Sequence, residues 1–485
     1  MKQKTVAFCT LGCKVNQYET NAMMQKFIET DYEIVDFEEK ADIYIINTCT
    51  VTNMADKKSR QMLRKVKELN PDSILVVTGC YAQVAKEKLE EIPEIDLILG
   101  VNEKSRIVDY VEEMLIRRNK LIVPKNNRKE DDYEEDFIEE DIKLIQTEAN
   151  NFMQVSDVAK QNEFVEFGPV TYTEKTRAVI KVQDGCNQFC SYCIIPYARG
   201  RIRSRRPEWV MAEITRIAKK GIKEVVLTGI HLASYGKDFM PNIVSDISND
   251  FEYEKDKKEF YLIDLLEEIQ NIEGIERIRL GSLEPTLITK DFVKRISKLS
   301  KICDQFHLSL QSGCDETLKR MNRKYTTLEF EKGVELLRKA YPEVHLTTDV
   351  IVGFPGETKE EFEKTYEFLK KIKFYKMHIF KYSQRSGTVA AEMPNQIDGN
   401  IKEERSNKLI ELSNKNQKEY NEKYIGKNVE VLWERVQDDY IKGHTKNYMI
   451  TKMKIRNEKK EYENTTQNVK IIAENGDELL VEIVN

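Results

Sequence analysis

KVQDGCNQFCSYCIIPYARGRIRSRRP, running from Lys181 to Pro207, sets Cys186, Cys190 and Cys193 in a C-x-x-x-C-x-x-C spacing. One loop of that spacing can bring three thiolates around a single soft metal centre. Three ligands on a four-iron cluster leave one iron open, and an open iron can chelate a small molecule. Tyr192, just before the last cysteine, offers such a molecule a flat face. A zinc loop or buried thiols are the plainer alternatives. Zinc usually takes paired C-x-x-C knuckles with a further Cys or His nearby, and no second knuckle or histidine lies within thirty residues of this loop.

Six strand-like runs begin at the loop's own threshold: RAVIKV, EVVLTG, ERIRLG, FHLSL, HLTTDVIVG and KMHIFK. Helix-like segments such as PEWVMAEITRIAKKG and KEEFEKTYEFLKKI separate them. Six βα units predict an incomplete version of the eight-fold barrel, open on one side for a large substrate, with its active loops at the strand carboxyl ends. There stand the cysteine triplet, TGIHLASYG, GSLEP, QSGCDETLKRMNR and GFPGET. His231 and His307 lie near strand ends and are read as ordinary polar-loop or core residues, and Cys303 and Cys314 as packing residues.

At 485 residues the chain calls for two to four domains. Its formal charge of -6, from 77 basic against 83 acidic side chains, excludes a globally basic nucleic-acid binder but leaves room for a local basic patch. No run of about eighteen apolar residues is present for a membrane span, and MKQKTVAFCTLG has too short an apolar run for a signal peptide. The expectation is a cytoplasmic protein, without a membrane partner, whose nine cysteines stay reduced and serve as metal ligands where they cluster.

In the first third, KTVAF, DIYIIN and SILVVT are β-rich runs, each followed by a loop and a helix-like segment. That alternation predicts a parallel α/β sheet. A cysteine follows each run: Cys13 in TLGCKVN, Cys49 in NTCTVT and Cys80 in TGCYAQ. The carboxyl ends of parallel strands share one edge, so three cysteines distant in sequence can meet there. Cys9 is read as a strand residue facing the core. A fourth unit, IDLILG with NEKSRIVDYVEEML, closes this domain near residue 120, and residues 121–170, rich in charge and amides, are either a linker or a surface elaboration of the sheet.

TLGCKVNQYE, NTCTVT, TGCYAQ and DGCNQFCSYCIIPYARGRIRSR together resemble the methylthiotransferases, a subfamily of the radical S-adenosylmethionine (SAM) enzymes, over nearly the whole chain. The resemblance implies two 4Fe-4S clusters, one on Cys186, Cys190 and Cys193 with its open iron on SAM, the other on Cys13, Cys49 and Cys80 carrying sulfur. It implies an external electron donor of flavodoxin or ferredoxin type. Tyr192, Gly229, Glu284, Gln311, Gly353 and Gly356 have residue types suited to the methionine head, ribose and adenine of SAM. Gly12 to Glu19, GCKVNQYE, looks most like the branch that modifies threonylcarbamoyladenosine in tRNA; other branches act on isopentenyladenosine in tRNA or on an aspartate of a ribosomal protein. An electron carrier or RNA-binding module without chemistry of its own is the alternative from another class.

Arg199, Arg201, Arg203, Arg205 and Arg206 follow the cysteine loop directly. Such a run is either a solvated face, a set of phosphate contacts for the anticodon arm of a tRNA, or positive charge that helps neutralise the neighbouring clusters. After the helix-like IKEERSNKLIELSNKNQKEYNEKYIG, alternating apolar residues and turn residues predict an antiparallel barrel of about five short strands, similar to the RNA-binding TRAM domain. Trp433, Tyr440, His444, Lys446 and Tyr448 are its candidate base or phosphate contacts. The expected division is residues 1–120, 121–170, 171–401 and 402–485, with residues 237–260 as an insertion on the barrel surface.

Overall fold

A computed structural model describes residues 3–50, 53–122, 152–172, 176–239, 259–455 and 462–484. The chain forms two compact units, Met1–Tyr172 with Ile194–Arg201, and Thr173–Cys193 with Ile202–Asn485.

In the first unit six strands pair in parallel in the order β2-β1-β3-β4-β5-β6: β1 Thr5–Thr10, β2 Glu33–Val35, β3 Ile43–Thr48, β4 Ile74–Gly79, β5 Leu97–Leu99 and β6 Phe152–Gln154. Every residue of β3 and β4 is buried, as expected of central parallel strands covered by crossover helices on both faces. β1, β3, β4 and β5 fall on the four predicted runs. β2 and β6 have three residues each, too few to show a period. β6 settles part of the 121–170 question. It adds an edge strand beside β5, and the chain after it is tied to the helix Lys14–Glu29 by Gln25, which donates to the Pro169 carbonyl at 3.0 Å and accepts from the Thr171 amide at 2.7 Å. Residues 152–172 are therefore an elaboration of the sheet and not a linker, while residues 123–151 lie outside the described residues.

The second unit contains the six predicted parallel strands: β7 Arg177–Asp184, β9 Glu224–Gly229, β10 Arg277–Leu280, β11 Gln305–His307, β12 His345–Val352 and β13 Lys376–Lys381. The two-residue β8, Arg203–Ser204, pairs antiparallel with the end of β7. Bridges Ile278↔Ile302 and Leu283↔Leu308 join β10 to the β11 region. Among the described residues no pairing links β13 back to β7 or β8, so the arc is open as expected. Of the predicted insertion, residues 240–258 lie outside the described residues.

Five further strands close into the predicted small barrel, in the order β14-β15-β16-β18-β17: β14 Asn428–Gln437, β15 Tyr440–Thr445, β16 Ile450–Lys454, β17 Thr466–Asn475 and β18 Glu478–Ile483. It belongs to the same compact unit as the arc because it packs against the amino ends of the arc's strands. Arg177, first in β7, donates to the Tyr448 hydroxyl at 2.9 Å and pairs with Glu434 at 2.9 Å. Arg277, first in β10, donates to the His444 carbonyl at 2.8 Å and pairs with Glu430 at 2.8 Å. Several of the candidate RNA contacts also have partners within the chain. Trp433 is wholly buried in the barrel core, His444 stacks on Tyr448 at 4.7 Å, and Lys446 donates to the Ser300 carbonyl at 2.7 Å. Of these, Lys446 and Tyr448 help join barrel to arc, while Trp433 belongs to the barrel's own core.

His345, first in β12, stacks on Tyr375 at 4.1 Å, and burial pushes its pKa down to about 3. The unfolded chain takes up a proton near pH 6.5 while the folded chain resists it. The stability contributed by the neutral ring is thus complete above about pH 6.5 and declines as pH falls toward 3. Replacing His345 by Gln should flatten the stability-against-pH curve across that window in urea titrations of the full chain; an unchanged slope would contradict this placement.

Candidate metal centres

In the second unit the loop with Cys186, Cys190 and Cys193 leaves the carboxyl end of β7, and all three thiols are partly exposed. Its base is fixed by Asp184, which accepts from the Gly185 amide at 2.8 Å and pairs with Lys181 at 2.5 Å. The Cys193 amide donates to the Cys190 carbonyl at 2.9 Å, folding the second half of the loop into a turn. Burial pushes the Cys186 thiol up to about 11, so a metal taken up there displaces a proton.

The sequence reading missed Arg323. Its guanidinium donates to Cys190 Sγ at 3.2 Å, to Glu284 Oε2 at 2.9 Å and to the Ser309 carbonyl at 3.1 Å. Inside the charged run MNRKY it carries no mark that separates it from surface arginines; the fold alone turns it toward the cysteine loop. Glu284 also lies 3.4 Å from His231 Nε2. Burial opposes ionisation of Glu284, yet the His231 hydrogen bond and the Arg323 charge hold its carboxyl below the usual range. Glu284, expected to face SAM, also orients Arg323.

The other residues expected around SAM stand at the carboxyl ends of the arc's strands. Gly229 packs against Gln183, and Gln311 joins the edge of β12 through backbone bonds to Asp349 and Ile351. Gly353, at φ +68°, leaves no room for a side chain, since an added Cβ would lie 2.3 Å from Lys402 Cγ. The Gly356 amide donates to the Asn395 carbonyl at 2.9 Å. Tyr192 sets its ring edge-to-face with Phe354 at 6.4 Å, in an apolar cluster with Met321, Tyr382 and Ala390.

In the first unit Cys13 caps the helix Lys14–Glu29, Cys49 follows β3, and Cys80 follows β4 directly. The three share the carboxyl edge of neighbouring strands. Gly12, at φ +102°, lets the first loop lie against the second, since an added Cβ would stand 2.7 Å from Cys49 Sγ. Burial pushes the Cys13 thiol above its ordinary range although the Arg199 charge opposes it, so a metal taken up there displaces a proton. Beneath lies a buried ionic network. Glu19 pairs with Lys104 at 2.5 Å and with Arg199; Arg199 donates to Asn16 Oδ1 at 2.7 Å and through Nε to Cys80 Sγ at 3.2 Å. Lys104 also donates to Asn47 Oδ1 at 2.9 Å.

Two buried basic side chains thus share one carboxylate, and Arg199 also reaches the Cys80 sulfur. A thiolate bound to an anionic iron–sulfur cluster fits that surplus of positive charge. A cluster spreads its thiolates over several irons, unlike a single ion.

The arginine run is therefore not one phosphate-binding strip. Arg199 serves the Cys80 network, Arg203 pairs with Asp184 at 3.7 Å, and Arg205 pairs with Glu213 at 2.9 Å; all three are buried. Arg201 and Arg206 remain exposed. Sequence spacing concealed this because Arg199, Arg203 and Arg205 each meet a buried carboxylate while Arg201 and Arg206 face outward.

An open six-stranded arc with a three-cysteine loop at the carboxyl end of its first strand defines a radical SAM protein, and residues 180–369 match the model of the radical SAM superfamily. Residues 5–100 match that of the uncharacterized protein family UPF0004. A threonylcarbamoyladenosine tRNA methylthiotransferase of Bacillus subtilis is 41% identical, covering 92% of this chain and 89% of its own. A tRNA-2-methylthio-N(6)-dimethylallyladenosine synthase of Clostridium novyi is 34% identical, covering 90% and 88%. Among solved structures, a radical S-adenosylmethionine methyltransferase of Kitasatospora setae, with cobalamin and a 4Fe-4S cluster bound, shares the fold at a TM-score of 0.51 and 15% identity, covering 80% of this chain and 77% of its own. The chain belongs to the methylthiotransferase family of the radical SAM enzymes.

Removing Arg199 leaves the Glu19 network with one cation fewer. Arg199→Ala should destabilise the first unit by about 3–5 kcal/mol in urea unfolding of the full chain, whereas Arg206→Ala should change stability by less than about 0.5 kcal/mol. Equal effects would show that the two arginines have similar surroundings.

Proposed function

We propose that this chain adds a methylthio group to C2 of N6-threonylcarbamoyladenosine, at the adenosine immediately 3′ of a tRNA anticodon. The observation that supports it most is the pairing of two three-cysteine centres on the carboxyl edges of two parallel sheets, together with 41% identity to a relative that carries that name. The C2–H bond is strong and not acidic, so neither a general base nor a simple nucleophile replaces it, and radical chemistry is required. The bound clusters and SAM supply the electron, the carbon radical and the sulfur.

The protein's part is to hold and position these groups. Cys186, Cys190 and Cys193 would hold the cluster that meets SAM, with Arg323 steering the Cys190 sulfur and Glu284 steering Arg323. Cys13, Cys49 and Cys80 would hold the second cluster over the Arg199 network. Gly229, Gln311, Gly353 and Gly356 would shape the strand ends that take SAM, and Tyr192, packed against Phe354, would offer it an apolar face. Arg201 and Arg206, the exposed members of the arginine run, take phosphates of the anticodon arm. No helix among the described residues is long and apolar enough to cross a membrane. The cytoplasm supplies both the tRNA and a reduced donor of flavodoxin or ferredoxin type.

The full chain, reconstituted anaerobically with iron and sulfide, is incubated with SAM, a strong reductant and tRNA. Replacing Cys186, Cys190 and Cys193 by Ala should abolish 5′-deoxyadenosine formation. Replacing Cys13, Cys49 and Cys80 should spare it and stop methylthio insertion, read by mass spectrometry of tRNA nucleosides. Deoxyadenosine formed without the central triplet would sink the assignment. SAM left intact by the wild type would identify an electron carrier, and a methylthio group appearing on isopentenyladenosine alone would replace the substrate.

A further inference from the structure

β11, β12 and β13 carry a polar and aromatic patch that the chemistry above does not use. Register pairs His307 with Thr347, Asp349 with His378 and Ile351 with Phe380. Alternation along β12 sets residues 347, 349 and 351 on one face, so His307, His378 and Phe380 share it. The opposite face carries Leu346, Val350 and Val352, buried in the main core. On the shared face the ligand atoms of His307, Asp349 and His378 lie within 4.8 Å of one another. His307 is oriented by its Nδ1, 3.0 Å from the Thr347 hydroxyl, which leaves Nε2 facing Asp349 at 3.3 Å. His378 is exposed, and the Phe380 ring is 44% exposed, unusual for a large apolar side chain. Ile351, paired with Phe380, joins the apolar cluster that also holds Tyr192 of the cysteine loop. The patch therefore runs along the inner face of the arc toward the radical centre.

We propose that this patch is the subsite for the modified adenine, with Phe380 under the purine ring, Asp349 and His378 on its N6 substituent, and His307 orienting Asp349. This inference rests on the proposed substrate. An open aromatic ring binds any base by its face. An imidazole and a carboxylate match a threonylcarbamoyl group, which presents a carboxylate, a hydroxyl and urea N–H donors: His378 donates to the carboxylate, Asp349 accepts from the urea, and His307, held between the Thr347 hydroxyl and Asp349, orients the Asp349 carboxylate. An apolar isoprenoid substituent would leave these groups unpaired, the situation in which polar sites discriminate most strongly. The same three side chains stand within reach of a divalent ion, but an ion site has no use for an exposed Phe380 or for the apolar run to Tyr192.

The cluster-loaded chain is titrated with anticodon stem-loop RNA bearing either threonylcarbamoyladenosine or plain adenosine, with iron content as the check on folding. Wild type should prefer the modified loop by about tenfold or more. His378→Phe and Asp349→Asn should remove the preference while retaining binding of the plain loop, and Phe380→Ala should weaken both loops by about fivefold to a hundredfold. Variants that keep the preference, or a wild type that shows none, would overturn the subsite. A protein lacking all six cluster cysteines that binds one zinc ion per chain, lost on His378→Phe, would assign a metal site and also overturn it. Turnover of threonylcarbamoyl-tRNA by the wild type tests the function separately, so failure of the subsite and failure of the substrate assignment are distinguishable.

Discussion

Each cysteine centre rests on a guanidinium that donates to a cysteine sulfur at 3.2 Å and is itself held by a buried carboxylate: Arg199 on Cys80 with Glu19, and Arg323 on Cys190 with Glu284. Three thiolates in a poorly hydrated loop repel one another. A desolvated cation beside one of them offsets that repulsion, and hydrogen bonds to cluster sulfurs are among the levers that set a cluster's potential. A buried arginine is costly without an anion, so each carboxylate is as necessary as its cation. The two units reach the same arrangement from unrelated sequence positions.

The terminal barrel follows from the same division of labour. Arginines and a neutral histidine at the amino ends of β7, β10 and β12 anchor it. Conserving the other ends of the strands for loops is how barrels with parallel strands separate stability from chemistry. The arc's open side and its exposed Phe380 lie among the groups that this packing leaves uncovered.

Long, periodic elements were legible in the sequence. The six strands of the arc, four of the six in the first sheet and the five-stranded barrel all stand where alternation and turn residues put them. β2 and β6 were not, because three residues show no period, and β6 follows a charged segment that hides its return to the sheet. The cysteines were visible as sets because each follows a strand. Their supports were not. Arg199 and Arg323 look like members of exposed charge runs, Glu284 like a free ligand, and Trp433 and Lys446 like nucleic-acid contacts. Burial and pairing depend on which loop each side chain meets, and periodicity carries no record of that.

The central claim is that the chain builds two separate three-thiolate centres, each sufficient for its own cluster. Iron and acid-labile sulfide counting on anaerobically reconstituted protein tests it most directly. The account predicts about eight irons per wild-type chain and about four in each triple-Ala variant, whichever triplet is removed. About four irons in the wild type, or loss of all iron when one triplet is removed, would contradict it.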